Sequence, residues 1–258
     1  MSLPYKTIVI TGASSGIGAA LADQFAVPGV TLGLIARNAD RLNRIAENCR
    51  KRGANVEMKI IDVQDRENLQ SWLQQFDTDH PIDLLIANAG ITYPLPRREL
   101  HEPQEEVTNI LNTNFTGVLN TVIPVIDRMQ ERKRGHIAIL SSLSAYHGIP
   151  AFPAYSASKA ALLSYFQAIR SRLTVAGIDL TIICPGYIET PMTKKLPGLK
   201  MLVLPVDKAA TIIKDGLIRK KPLLAFPFLL RIGLWFMNCL PVNLCNWILI
   251  KVFGIDKL

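Results

Sequence analysis

Six short runs of β-branched and aliphatic residues recur along the first 184 positions: Thr7–Ile10, Thr31–Ala36, Val56–Ile61, Leu84–Ala87, His136–Leu140 and Leu180–Cys184. Amphipathic stretches such as Ile17–Phe25, Asp40–Arg52 and Asp65–Phe76 lie between them. Such runs read as strands buried on both faces, and parallel strands joined by crossover helices are the arrangement that covers both. The alternation predicts an α/β fold: a Rossmann-type doubly wound parallel sheet with helices on both faces. No repeat or linker-like stretch interrupts residues 1–190.

Beyond that body the character changes. A helix is expected from about Asp207 to Arg219 and a last strand at Leu223–Phe226. Two unusually apolar segments follow, Phe228–Leu240 and Leu244–Phe253, separated by a break at Pro241. The chain is therefore divided into an α/β domain, residues 1–226, and an apolar, basic, helical C-terminal extension, residues 227–258.

Charge follows the same division. The 258 residues carry a net charge of +8, and 49% are hydrophobic against 19% charged, which excludes a disordered chain and permits a large core. Residues 1–190 are neutral overall, so the whole excess lies after them, with 11 bases against three acids. Those bases are interleaved with aliphatics and match no recognition module, so nucleic acid is not expected as a partner. Cys49, Cys184, Cys239 and Cys245 are scattered without disulfide-framework or zinc spacing and read as free thiols in a reducing compartment. No signal segment is read at Met1–Lys6, which implies a cytoplasmic location. His80, His101 and His136 are expected to be structural or superficial, whereas His147 and Tyr146 are candidates for lining a pocket. No metal is implied.

Between the first strand and helix lies Thr11-Gly12-Ala13-Ser14-Ser15-Gly16-Ile17-Gly18. Gly12 permits a tight turn, Gly16 lets the backbone approach a pyrophosphate, and Gly18 allows the helix to pack closely on the sheet. Ser14, Ser15 and Ile17 border the same turn, where free amides and the helix dipole favour phosphate. The second strand ends in Arg37 where an acid would bind the ribose of NAD. An arginine suits a 2′-phosphate, so NADP(H) is the expected cofactor, with NAD(H) as the alternative. Asp62 and Val63 are placed at the adenine edge, and Asn88, Ala89 and Gly90 at the carboxyl end of the sheet.

Tyr155 and Lys159 sit four residues apart at the start of a helical stretch, on one face. A nearby ammonium favours phenolate and would lower the tyrosine pKa, allowing proton exchange with an alcohol or carbonyl oxygen. Ser141 and Ser142 end the fifth strand, Ser142 13 residues before Tyr155, while Asn114 lies on the preceding helix.

Taken together, Thr11–Gly18, Asn88-Ala89-Gly90, Asn114, Ser142, Tyr155/Lys159 and Pro185-Gly186 resemble the short-chain dehydrogenase/reductase family over roughly residues 5–220. The resemblance implies Tyr155 as acid/base and Ser142 as hydrogen-bond partner of the substrate oxygen. Lys159 would hold the nicotinamide ribose and tune Tyr155, with Asn114 supporting a water relay to Lys159. Thr190 would contact the carboxamide, with Pro185, Gly186 and Ile188 alongside. The family's soluble reductases also imply a homo-oligomer, a dimer or tetramer.

The extension departs from the family's usual ending. About 20 apolar residues are needed to span a bilayer, and neither segment provides them. It is read as a pocket lid, a peripheral membrane patch at the cytoplasmic face, or a subunit interface. The membrane reading rests on the basic cluster Arg219–Lys221 preceding a Trp/Phe/Leu-rich helix. The expected activity is NADP(H)-dependent interconversion of an alcohol and a carbonyl on a hydrophobic substrate (lipid, steroid-like or long-chain). The alternatives are a 3-oxoacyl-thioester reductase and a non-catalytic NADP(H)-binding regulatory protein.

Overall fold

The computed structural model describes residues 3–96, 98–194 and 202–253, with side chains of Lys194 and Phe253 excepted. Lys195, Lys200, Lys257 and the rest of the expected extension after Phe253 lie outside these residues.

The first half of the chain alternates β1 (Thr7–Thr11), α1 (Gly16–Phe25), β2 (Thr31–Ala36), α2 (Ala39–Lys51), β3 (Asn55–Ile60), α3 (Arg66–Asp79) and β4 (Leu84–Ala87). Then come α4 (Gln104–Leu111), a π-helical turn at Asn112–Thr116, α5 (Gly117–Arg132), β5 (Gly135–Leu140), α6 (Pro153–Val175) and β6 (Ile178–Pro185). The remainder comprises β7 (Ile188–Glu189), α7 (Pro191–Lys194), β8 (Leu204–Pro205), α8 (Val206–Ile218), β9 (Leu223–Phe226), α9 (Phe228–Met237) and α10 (Val242–Phe253).

Seven strands form one parallel sheet in the order β3-β2-β1-β4-β5-β6-β9. Successive residues of a strand point to opposite faces, so Ile8 and Ile10 of β1 pack with Leu21, Phe25 and Ile213 on one side. Val9 joins Leu73, Phe76, Val122 and Phe166 on the other. Both faces are thus covered by helices, which is why β1, β4 and β5 are buried at every position.

The third strand differs from expectation. β3 pairs only with β2 and forms the sheet edge, where Glu57, Lys59 and Ile60 are exposed instead of buried. Charges on such an edge discourage pairing with another chain.

Strand order reverses between β1 and β4, and in a doubly wound sheet the crevice at that switch point, beyond the carboxyl ends of the strands, receives ligands. The C-terminal segments do form two helices, α9 and α10, at that same end, because α9 follows directly from the carboxyl end of β9. Among the described residues no helix is long and apolar enough to cross a membrane.

Candidate active site

The glycine turn wraps the end of β1. Gly12 has φ +68°, and a Cβ there would lie 2.8 Å from Asn88 Nδ2 and 2.9 Å from Ala89 Cα. Gly16 has φ +55°, with the Thr190 methyl 3.3 Å from the position of its missing Cβ. Ser15 precedes α1 without capping it through its side chain, so the first-turn amides of that helix keep no side-chain acceptor there. Asn88 fastens β4 to this turn: its Nδ2 donates to Thr11 O at 2.9 Å, and Thr11 Oγ1 accepts from the amides of Asn88 and Ala89.

A groove of about 270 Å³ runs from this turn across the switch point. Gly12, Ser14, Ser15, Gly16, Ile17, Arg37, Asp62, Val63, Asn88, Ala89, Gly90, Tyr155, Lys159, Pro185 and Thr190 all border it. A glycine-rich turn facing helix amides without a side-chain cap fits the pyrophosphate of a dinucleotide. Arg37, with its side chain 54% exposed, pairs with Asp62 at 3.1 Å. Sequence reasoning missed Arg41, which borders the groove one turn further on. Its amide is held by the Asn38 cap of α2 at 2.9 Å. The signal was available: the turn that ends β2 also delivers the first turn of α2 to the same crevice.

Three expected residues stand elsewhere. Gly18 does not border the groove; its missing side chain lets α1 approach the Gly12 carbonyl. Ile188, in β7, is buried in the core against the α8 side of the sheet and does not border the groove. Gly186 lines the neighbouring substrate-sized cavity, because α9 and Leu143 close around it.

The catalytic candidates converge from three elements. Tyr155 and Lys159 lie in the first turns of α6, which starts at Pro153. Phe152 provides no side-chain cap, and Glu102 takes that place from outside the helix by accepting the Ala154 amide at 2.8 Å. This long-range cap has no sequence signature. Lys159 Nζ donates to Leu140 O at 2.8 Å and lies 5.6 Å from the Tyr155 ring centroid.

Asn114 lies in the π-turn, a feature often associated with functional sites. It clamps the β4 exit: Oδ1 accepts from Ile91 N at 2.7 Å while Nδ2 donates to Ile91 O and Ser158 Oγ. Asn114 Oδ1 and Lys159 Nζ lie 3.2 and 3.5 Å from the position a Gly90 Cβ would take, so both face the same small space. Ser141 is buried, donating to Lys159 O at 2.9 Å, and Ser142 faces the cavity beside Tyr155.

The electrostatics differ from the simple tyrosine–lysine expectation. Burial pushes the Tyr155 phenol up to about 12, opposed by the Ser142 hydroxyl. The Lys159 ammonium is itself lowered to about 8 by burial, opposed by Cys184. Desolvation thus dominates at Tyr155, with the Ser142 hydroxyl as the opposing influence, and the phenol is held protonated. Cys184, also fully buried, is pushed up to about 11 and remains a thiol.

A second cavity of about 330 Å³ meets the groove at Tyr155 and Met192. Ser142 and Tyr155 supply its polar end, while Leu143, Ile149 and Phe152 form part of the body wall. Leu230, Leu234 and Met237 of α9 and Ile248, Leu249 and Val252 of α10 close the other side. Of the readings of the extension, this geometry gives the lid direct contact with the site. Tyr146 and His147, the candidates for lining a pocket, do not border this cavity. His147 instead contacts the C-terminal helical segments: Nδ1 meets Asn238 Oδ1 at 2.7 Å and Nε2 meets Cys245 Sγ at 3.4 Å. Asn238 Nδ2 also donates to Tyr146 O at 2.6 Å. The cluster Arg219–Lys221 lies at the other end of β9, about 13 Å away by strand rise, with Lys220 paired to Asp179 at 2.8 Å.

The chain matches the family described as "short chain dehydrogenase" over residues 6–198. It is 31% identical over 240 residues to an "Uncharacterized oxidoreductase" of Myxococcus xanthus, covering 93% of this chain and 94% of that protein. It is 32% identical over 250 residues to "11-beta-hydroxysteroid dehydrogenase-like 4A" of Arabidopsis thaliana, covering 92% and 81%. A short-chain dehydrogenase from Sphingobium yanoikuyae in complex with NADPH superposes with a TM-score of 0.77 at 27% identity, covering 86% of this chain and 88% of that one. Family, sheet topology and dinucleotide groove agree: the chain belongs to the short-chain dehydrogenase/reductase family and is an oxidoreductase built for a nicotinamide dinucleotide cofactor.

Proposed function

We propose that the protein interconverts a carbonyl and an alcohol on a large apolar substrate, with NADP(H) as the preferred cofactor. The observation that carries this reading is the second cavity: Ser142 and Tyr155 stand at one end, and the rest of its lining is mostly hydrocarbon, interrupted by Thr92, Ser144, Tyr187 and Thr193. Its volume falls at the lower end of the range for pockets that take drug-sized ligands. The similarity to a protein named for 11-beta-hydroxysteroid dehydrogenation favours a fused-ring substrate among apolar candidates. Arg37 and Arg41 on the groove favour a 2′-phosphate.

The bound cofactor supplies the hydride that reduces the carbonyl carbon. Ser142 and Tyr155 donate hydrogen bonds to the substrate oxygen, stabilising negative charge where it develops. Tyr155, held protonated by burial, gives its proton to that oxygen. Lys159, anchored by Leu140 O, would hold the ribose of the bound cofactor and places a cation beside the phenolate left behind. Asn114 fixes the backbone at Ile91 and completes the polar path toward Lys159.

The outer face of the lid is apolar, with Leu229, Trp235, Phe236, Val242 and Trp247 exposed, and we assign it to contact with a lipid surface. The enzymatic reading is tested by following NADPH absorbance with cyclohexanone, long-chain ketones and fused-ring ketones. Higher kcat/KM for the larger ketones is expected. Turnover confined to small polar carbonyls, or tight NADPH binding with no turnover on the whole panel, would contradict it.

A further inference from the structure

Glycine weakens a helix interior relative to alanine, so a glycine in mid-helix calls for a reason. Two reasons are common: a neighbour packed too closely for a side chain, or a backbone angle that only glycine adopts. Gly233 lies in the middle of α9 and has neither. Its backbone is helical, and nothing stands within 4 Å of where its Cβ would be. Gly186 shows the contrast, with Pro227 Cδ at 3.0 Å and Leu230 Cδ2 at 3.2 Å from its missing Cβ.

Gly233 nevertheless borders the substrate cavity, on the same helix as Leu230, Leu234 and Met237, and it is also exposed. A residue that is both cavity wall and protein surface stands at the cavity's mouth. Its neighbours Ile232, Trp235 and Phe236 are exposed and apolar, so hydrocarbon flanks this opening.

We propose that Gly233 is a specificity-determining residue: its missing side chain leaves the space at the lid's mouth that the far end of a bulky apolar carbonyl compound occupies. The inference rests on the proposed reading of the cavity and adds where the size limit is set. A leucine at this position places four carbons in that space, whereas alanine places one. A small ring held against Ser142 and Tyr155 lies clear of either.

The test uses the full chain with Gly233→Leu and Gly233→Ala, each assayed with cyclohexanone and with a fused tetracyclic ketone. Gly233→Leu should lower kcat/KM for the tetracyclic ketone at least tenfold, mainly through KM, and leave cyclohexanone within twofold. Gly233→Ala should keep both activities within about threefold and raise Tm by about 3 °C, since the helix gains stability and the mouth loses little room. Binding of the tetracyclic ketone to the NADP⁺-loaded protein, measured by equilibrium dialysis, reads the same site without turnover and should weaken at least tenfold in Gly233→Leu. Unchanged discrimination between the ketones, equal loss on both, or unchanged binding in Gly233→Leu would overturn the proposal. Wild-type binding of the tetracyclic ketone that Gly233→Leu weakens, in a protein that reduces neither ketone, would sink the catalytic reading and leave the role of Gly233 standing.

Discussion

Replacing Arg37 measures how the groove chooses between cofactors. Arg37 follows the last residue of β2, reaches the groove and pairs with Asp62 at 3.1 Å, while Arg41 borders the same space one helical turn away. A hydrogen bond to a charged group contributes about 1.5–3 kcal/mol. With the Arg37 side chain 54% exposed, solvent screening reduces that to about 1–2 kcal/mol. Arg37→Ala should therefore lower the ratio of kcat/KM for NADPH over NADH by about 5- to 30-fold. Arg37→Asp should lower it further, because a carboxylate repels the 2′-phosphate and can accept from the ribose hydroxyls of NADH. Arg41→Ala should shift the ratio in the same direction, and the double variant measures whether the two arginines act on one group. The assay is steady-state kinetics with each cofactor at saturating carbonyl substrate. An unchanged ratio in Arg37→Asp, or equal losses for both cofactors, would refute the assignment of a 2′-phosphate site to these arginines.

Three other perturbations reach different parts of the account. Glu102→Ala removes the cap that holds the first turn of α6, so stability should fall by about 1 kcal/mol in urea titration and kcat should fall with NADPH affinity intact; a kcat equal to wild type would contradict a positioning role. His136, buried between Tyr5 and Thr181, has its pKa lowered to about 4 by burial, against a rise from Asp179 and with a further lowering from Lys220. The unfolded chain therefore takes up this proton first, and stability falls as pH drops from about 6.5 to about 4, by up to about 3 kcal/mol. Urea midpoints for His136→Gln should show a shallower loss over that window, and parallel pH profiles would refute the linkage. Full-length protein should float with phospholipid vesicles, and Trp235→Ser/Phe236→Ser should not; flotation unaffected by the double substitution would remove the lid's outer face as the contact surface.

Much of the site was legible because its chemistry is local. The glycine turn, Asn88-Ala89-Gly90 and the Tyr155/Lys159 step each lie within a few residues, so periodicity places each on its strand or helix, and the family resemblance brings them into one site. Arg41 was within reach of the same reasoning. Other features depend on packing between distant segments: Glu102 capping α6, His147 gripping Asn238 and Cys245, and the lid lining the cavity. The phenol's upward shift was also hidden, since residue spacing reveals the neighbouring lysine but not the desolvation that raises Tyr155 and lowers Lys159. The resemblance places Gly186 and Ile188 beside the cofactor, yet Gly186 lines the second cavity under α9 and Ile188 is buried in the core. The tail's charge misled for a related reason: Arg219–Lys221 precedes α9 by a few residues but lies a strand's length from it.

The proton-transfer role of Tyr155 is the claim on which the mechanism turns. Tyr155→Phe removes one oxygen from a residue that borders both the groove and the second cavity and leaves the ring. NADPH affinity, read by fluorescence titration, should stay within about threefold, while single-turnover reduction of a fused-ring ketone should slow at least ~100-fold. Reduction by Tyr155→Phe at the wild-type rate, with the cofactor bound as tightly, would contradict the mechanism.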